Sequence, residues 1–277
     1  IALPKMMAVY NVSQEDAKWI ITAYTLTLGA VIPLTGYLSN KYGMKNVYIY
    51  SLALFTVGSL LCGVSNTNNT MIFSRVLQAI GGGMIMPVSM SILYDVIPIE
   101  ERGVAFGIWG IAAMAAPSIG PTLGGYIIEY LDWRLIFTLN IPLGIMGVIL
   151  SWILLKPSKK IEMKKFDVIG FITSTVGVVT LLYVFGEGEV DWNDLKNIIF
   201  LIVGIFSLIM FVVNELMIEE PLLNLRILKY TTFSLSIGKP LIPLRGVPFD
   251  NIYMPTSGYE YRRLIESKVE KIIASSE

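Results

Sequence analysis

Of the 277 residues, 54 % are hydrophobic and only 15 % charged, and the mean hydropathy is +0.65, which places the chain among polytopic membrane proteins. Lys and Arg (21) balance Asp and Glu (21), so there is no basic field to attract nucleic acid. There is no histidine and a single cysteine, Cys62, which excludes His-dependent hydrolysis, histidine or thiolate metal sites and an internal disulfide. Carboxylate-only chemistry is the one enzymatic class left open; the expectation is a non-enzyme with no cofactor and no metal.

The chain begins Ile1-Ala-Leu-Pro4, with no charged stretch leading into an apolar core of the signal-peptide kind. Uncharged or nearly uncharged runs then follow at Trp19 to Leu38, Val47 to Val64, Met71 to Tyr94, Val104 to Ile128, Leu135 to Leu155, Val168 to Phe185 and Ile198 to Asn214. Each is close to the ~20 residues a tilted membrane helix needs. None alternates polar with apolar as a barrel strand would. The sequence therefore predicts an all-α, polytopic fold with seven complete spans. If the first full span runs inward, the cytoplasmic segments carry Lys41, Lys45, Arg102, the lysines from Lys156 to Lys165, Arg226 and Lys229. The other side carries only Lys5, Lys18, Arg134 and Lys196, which is the asymmetry of the positive-inside rule.

The first loop reads Gly36-Tyr-Leu-Ser-Asn40-Lys41-Tyr-Gly43-Met-Lys45-Asn46. It predicts a tight turn at Gly43, an acceptor at Asn40 able to cap the next helix, and cations at Lys41 and Lys45 that pair with carboxylates on neighbouring helices in one conformational state. The third full span contains Arg75, with Gln78 and Gly82 three and seven residues on and hence on its face. A charge near the centre of a span costs about 2.5 to 3.5 kcal/mol and points to a partner or a water-filled path. Arg75 lies about one turn from the outer end, so snorkelling to the interface explains it as well.

The run from Trp109 to Gly125 is the densest signal. Ala112, Ala116, Gly120 and Gly124 recur every four residues and predict a helix face thin enough for a neighbouring backbone to come close. Pro117 and Pro121 fall in the same turns and predict a kink. Next, Asp132-Trp133-Arg134 opens another span, with Trp133 and Arg134 read as an interfacial anchor. Tyr24, Trp109, Met114, Met84 and Met86 could line an apolar cavity for varied ligands; lipid contact and helix packing account for them equally. Beyond Tyr230, Thr231 to Gly238 starts like a further span and stops short. From Lys239 the chain carries Pro240, Pro243, Pro248 and Pro255 and reads as irregular, with a short amphipathic helix from Tyr259 to Ser275.

These strings, taken together and in this order, resemble drug exporters of the major facilitator superfamily, specifically the EmrB/QacA type with fourteen helices. Pro117, Gly120, Pro121, Gly124 and Gly125 resemble the antiporter motif of the fifth helix, with Ala116 where the family usually has glycine. Gly36, Asn40, Lys41, Gly43 and Lys45 resemble the cytoplasmic loop signature, with Asn40 at the acidic position, so the family's ion pair cannot form there. Arg75 and Gln78 resemble a fourth-helix motif whose arginine is implicated in proton transfer. Trp19 to Tyr24, Asp132 to Gly144, Phe166 to Gly170 and Gly188 to Trp192 suit the second helix, the sixth helix and the inserted helix pair.

The resemblance covers about residues 1–238. It implies a helical bundle over 1–165, an inserted pair and the start of a ninth span over 166–238, and a non-membrane tail of unassigned role over 239–277. It also implies a multi-pass protein of the bacterial plasma membrane that exchanges protons for small lipophilic or cationic compounds by alternating access. The family's first-helix acid would lie before Ile1 and its second helical half beyond Gly238, so the chain is expected to be incomplete and unable to transport alone. A separate second half is a possible partner. A non-transporting scaffold or a truncated or fused gene product is the alternative; a seven-helix receptor or light-driven pump fits the span count, but the last two complete spans hold no lysine for a retinal linkage.

Overall fold

The computed structural model describes residues 2–157, 166–186, 190, 192–218, 221–223 and 225–226. Expectations for the lysines from Lys159 to Lys165, Lys229, the segment 231–238 and the tail 239–277 lie outside the described residues. All regular structure among the described residues is helical, in the order α1 (Leu3–Tyr10), α2 (Gln14–Val31), α3 (Leu34–Tyr42), α4 (Met44–Val64), α5 (Asn68–Val96), α6 (Arg102–Tyr130), α7 (Leu135–Thr138), α8 (Asn140–Leu154), α9 (Val168–Phe185) and α10 (Leu195–Met217). The chain is an all-α, polytopic membrane protein.

Among the described residues six stretches are long and apolar enough to cross a membrane on their own: α4, α5, α6, α7 with α8, α9 and α10. The first expected span is instead a bent pair, α2 and α3, with axes 55° apart. Pro33 sits at the break; its ring removes a backbone donor and collides with the carbonyl a turn earlier. The prolines of α6, Pro117 and Pro121, lie in a helix that runs without interruption from Arg102 to Tyr130. The interrupted helix is thus the first, not the one where two prolines fall together.

Local chemistry sets the helix starts. Ser13 accepts from the Asp16 amide at 3.1 Å, with Glu15 and Asp16 in the first turn of α2 where acidic groups suit the helix dipole. Thr67 and Thr70 form a reciprocal capping box at the start of α5. Gly43 joins α3 to α4 at φ 87°, a conformation that a side chain would strain, so the turn expected there is formed. Asn40 does not cap α4: the cap position is Gly43 itself and no side chain bonds the first turn.

Small residues bring the helices together. A Cβ on Gly58 would stand 2.5 Å from the backbone of Gln78, and one on Gly81 would meet the backbone of Ser51 and Phe55, so α4 and α5 touch main chain to main chain. Gly144 of α8 rests on Thr56 of α4. Gly177 meets Leu208 across α9 and α10, and Gly29 brings α2 to Val178 and Leu182 of α9. The helix pair α9–α10 therefore packs on the bundle through α2, with Trp19 and Tyr183 ring centroids 6.4 Å apart.

Trp133 departs from expectation. It is 3 % exposed, edge-on to Tyr10 at 5.9 Å and to Phe137 at 6.3 Å, in a core cluster with Met6, Ile20, Cys62 and Met71. It is a core residue, not an interfacial anchor. Asp132 turns the chain there by accepting from the Arg134 amide at 2.9 Å, and Arg134 donates to the Ser65 carbonyl at 2.9 Å. A Trp-Arg pair at a span boundary reads alike in both settings, and only the packing of α1 over it decides.

Candidate functional site

Arg75 is held on three sides. Its Nη1 donates to Gln78 Oε1 at 2.7 Å, its Nε to the Ile20 carbonyl at 3.4 Å, and its guanidinium carbon lies 3.6 Å from the centre of the Tyr24 ring. Gln78, 2 % exposed, passes the contact on through Nε2 to Ser59 Oγ at 2.7 Å, and Ser59 donates to the Phe55 carbonyl at 2.8 Å. The three-residue spacing of Arg75 and Gln78 puts both on one helix face, as the sequence predicts. The side chain turns toward Gln78, away from the Asn68 end of α5, so it does not snorkel to that end. Guanidinium over an aromatic face, with donors filled by a carbonyl and an amide oxygen, is an arrangement in which a desolvated cation is tolerated. Among the described residues no carboxylate stands beside it.

Arg75 opens onto a cavity of ≈ 310 Å³ whose other walls include Gly120, Pro121 and Gly124 of α6, Ala2 and Met6 at α1, Ile20 of α2, and Phe137 of α7. The arginine and three residues of the small-residue stretch thus share one space, although some 45 positions separate them in sequence. The close backbone approach expected at the small face of α6 is not made within the described residues. A Cβ at Gly120, Gly124 or Gly125 would meet nothing within 4 Å. Pro117 is exposed on the same helix, and the most apolar window of α6 is 0 % buried against 39 % for α4. What the missing side chains leave here is room.

Of the five side chains expected to line a substrate cavity, Tyr24, Trp109 and Met114 do not meet. Tyr24 stacks on Arg75. Trp109 donates to Ser89 Oγ at 3.1 Å and lines a separate cavity of ≈ 320 Å³ with Tyr48, Leu150 and Leu154. Met114 is 72 % exposed on α6. Residues of α6 spaced five apart point in different directions, so their separation was visible in the helix period.

The loop motif forms a second focus. Asn40, Lys45 and Asp95 line a cavity of ≈ 710 Å³ with Met44, Ile92 and Lys156. Lys45 Nζ donates to the Trp152 carbonyl at 2.7 Å and to that of Leu155, a favourable place for a cation at the carboxyl end of α8. Lys41 Nζ reaches the Tyr37 hydroxyl at 3.2 Å. Gly36 has open space where a side chain would be.

Residues 1–238 match the Major Facilitator Superfamily. The chain is 36 % identical over 237 residues to an uncharacterized MFS-type transporter, YhcA, of Bacillus subtilis (strain 168), covering 85 % of this chain and 44 % of that protein. It is 33 % identical over 236 residues to a second such protein of the same organism, YcnB, covering 85 % and 50 %. It is 34 % identical over 246 residues to the putative multidrug resistance protein MdtD of Pectobacterium carotovorum subsp. carotovorum (strain PC1), covering 88 % and 53 %. The chain spans about half the length of these relatives.

Proposed function

The chain belongs to the major facilitator superfamily, and on that premise we propose that it is the amino-terminal bundle and inserted helix pair of a proton-coupled multidrug exporter of the EmrB/QacA type. The observation that carries this reading is the shared cavity of Arg75, Gly120, Pro121 and Gly124. The relative named as a putative multidrug resistance protein supports a drug substrate; small lipophilic or cationic compounds are the class proposed. The proposed setting is a bacterial plasma membrane with the loop 39–46 in the cytoplasm.

The mechanism follows from the chemistry of the cavity. An arginine does not release a proton at physiological pH, so its work is done on a neighbour. A carboxylate brought into the cavity meets a partly desolvated cation and stays ionised; when the cation is drawn back to Gln78 and Tyr24, the acid takes up a proton. Alternating access, with one helical bundle rocking against another around a midplane site, would supply that movement. The open face of α6 gives it clearance.

The test is efflux of a lipophilic cationic dye by the chain in its full reading frame, in proteoliposomes under an imposed proton gradient. Gradient-dependent efflux that is lost in Arg75→Ala supports the proposal, and efflux indifferent to the gradient would end it. Proteoliposomes holding residues 1–277 alone are expected to be silent, because two bundles are needed.

A further inference from the structure

A second buried polar site lies far from Arg75 in sequence, where α9 begins and α10 ends. Asp167 caps α9: one oxygen, Oδ1, accepts from the Gly170 amide at 2.8 Å, and the other, Oδ2, from Asn214 Nδ2 at 2.8 Å. One residue beyond Asn214, Glu215 has no exposed surface, and its Oε2 accepts from the Leu223 amide at 3.0 Å. Three of the four carboxylate oxygens therefore have a donor. The fourth, Glu215 Oε1, is buried with no hydrogen-bond partner.

That oxygen faces Asp167. A Cβ placed on Gly170 would stand 2.8 Å from Glu215 Oε1 and would collide with Asp167 Oδ2, so both oxygens look into the gap that the glycine leaves. Two ionised carboxylates offer only acceptors, and neither can satisfy the other. Like charges in a space that excludes water also repel strongly, which is why such pairs elsewhere hold one proton between them.

Among the described residues no other charged group relieves the pair. Among the described residues Asp167 is the only titratable group acting on Glu215. On α3, Tyr37 packs on Phe166 with ring centroids 4.5 Å apart and Lys41 is engaged with Tyr37. Past α10, Arg226 donates to the Leu216 and Ile218 carbonyls at 3.2 and 3.1 Å.

We propose that Asp167 and Glu215 form a proton-binding site in which one proton, taken from and returned to bulk water, bridges Asp167 Oδ2 and Glu215 Oε1. The proton supplies the one donor the site lacks. Because Glu215 also holds the Leu223 amide, proton release is coupled to the backbone at Leu223. The site is independent of the efflux reading, and its test involves no transported compound.

The experiment is infrared difference spectroscopy of the full chain in lipid nanodiscs, stepped from acid to alkaline pH. Glu215→Gln and Asp167→Asn are compared with wild type. Both substitutions keep the shape: an amide at 215 can still accept from Leu223 and donate to Asp167, and asparagine is a good helix cap. The expected result is a carboxylic-acid carbonyl band that persists at neutral pH in wild type and is lost in each variant alike. It should be unchanged when sodium replaces choline in the buffer. Absence of the band in wild type, or its survival in either variant, would overturn the proposal. Loss of the band on adding sodium would also overturn it, in favour of a cation site.

Discussion

Two glycine-rich helix faces in this molecule are put to opposite uses. Gly58 and Gly81, between α4 and α5, are filled by backbone from the facing helix, whereas Gly120 and Gly124 of α6 have nothing within reach of an added Cβ. The first face is a weld and the second borders a cavity. Spacing of small residues shows that something can come close, and only the neighbouring helices show whether it does.

The sharpest way to break this comparison is to fill both faces. Gly58→Leu forces a side chain into the backbone of α5, so the α4–α5 pair cannot close. The expected loss is more than ~4 kcal/mol, seen as absence of folded protein in a thermal unfolding assay in detergent. Gly124→Leu in the full reading frame is expected to change stability by less than ~0.5 kcal/mol, yet to abolish dye efflux by filling the space beside Arg75. Equal destabilisation by the two substitutions would erase the distinction.

Gln78 belongs to both regions, since it bonds Ser59 within the weld and Arg75 at the cavity. Gln78→Ala is expected to cost about 1–3 kcal/mol by leaving a buried donor unmet, and to slow efflux as well, a double effect that separate stability and transport assays would show. The smallest effect belongs to Tyr24. Tyr24→Phe keeps the ring under Arg75 and should be near neutral in both assays, whereas Tyr24→Leu loses a cation–π contact worth about 0.5–2 kcal/mol.

The helices were legible because an uncharged apolar run of spanning length has hardly any stable home but a membrane helix. The bend at Pro33 was not read from the sequence, in which Trp19 to Leu38 is one span: a proline in a membrane helix can be absorbed, as Pro87 is within α5, and the sequence does not distinguish the outcomes. Arg75 and Gln78 were found because a charge in an apolar run is conspicuous and their three-residue spacing fixes their contact. Their meeting with Gly120 and Gly124 was not legible, since nothing local records which helix stands across a cavity. Glu215 went unnoticed for the converse reason: an acid one residue past an apolar run looks like the run's boundary. Its burial comes from α9 and from the turn at Leu223, both distant from the pattern that defines the span.

The cavity at Arg75 is where the proposed exchange stands or falls, and chemical labelling reaches it directly. Cys62 is the single cysteine of the 277 residues, so Gly124→Cys in a Cys62→Ala background of the full reading frame, with any cysteine outside these residues also replaced, places one thiol there. Its alkylation by a small water-soluble maleimide is predicted to proceed readily and to slow severalfold when a lipophilic cation is added. Labelling that is equally fast with and without the cation, while efflux of that cation continues, would contradict a substrate path through this cavity.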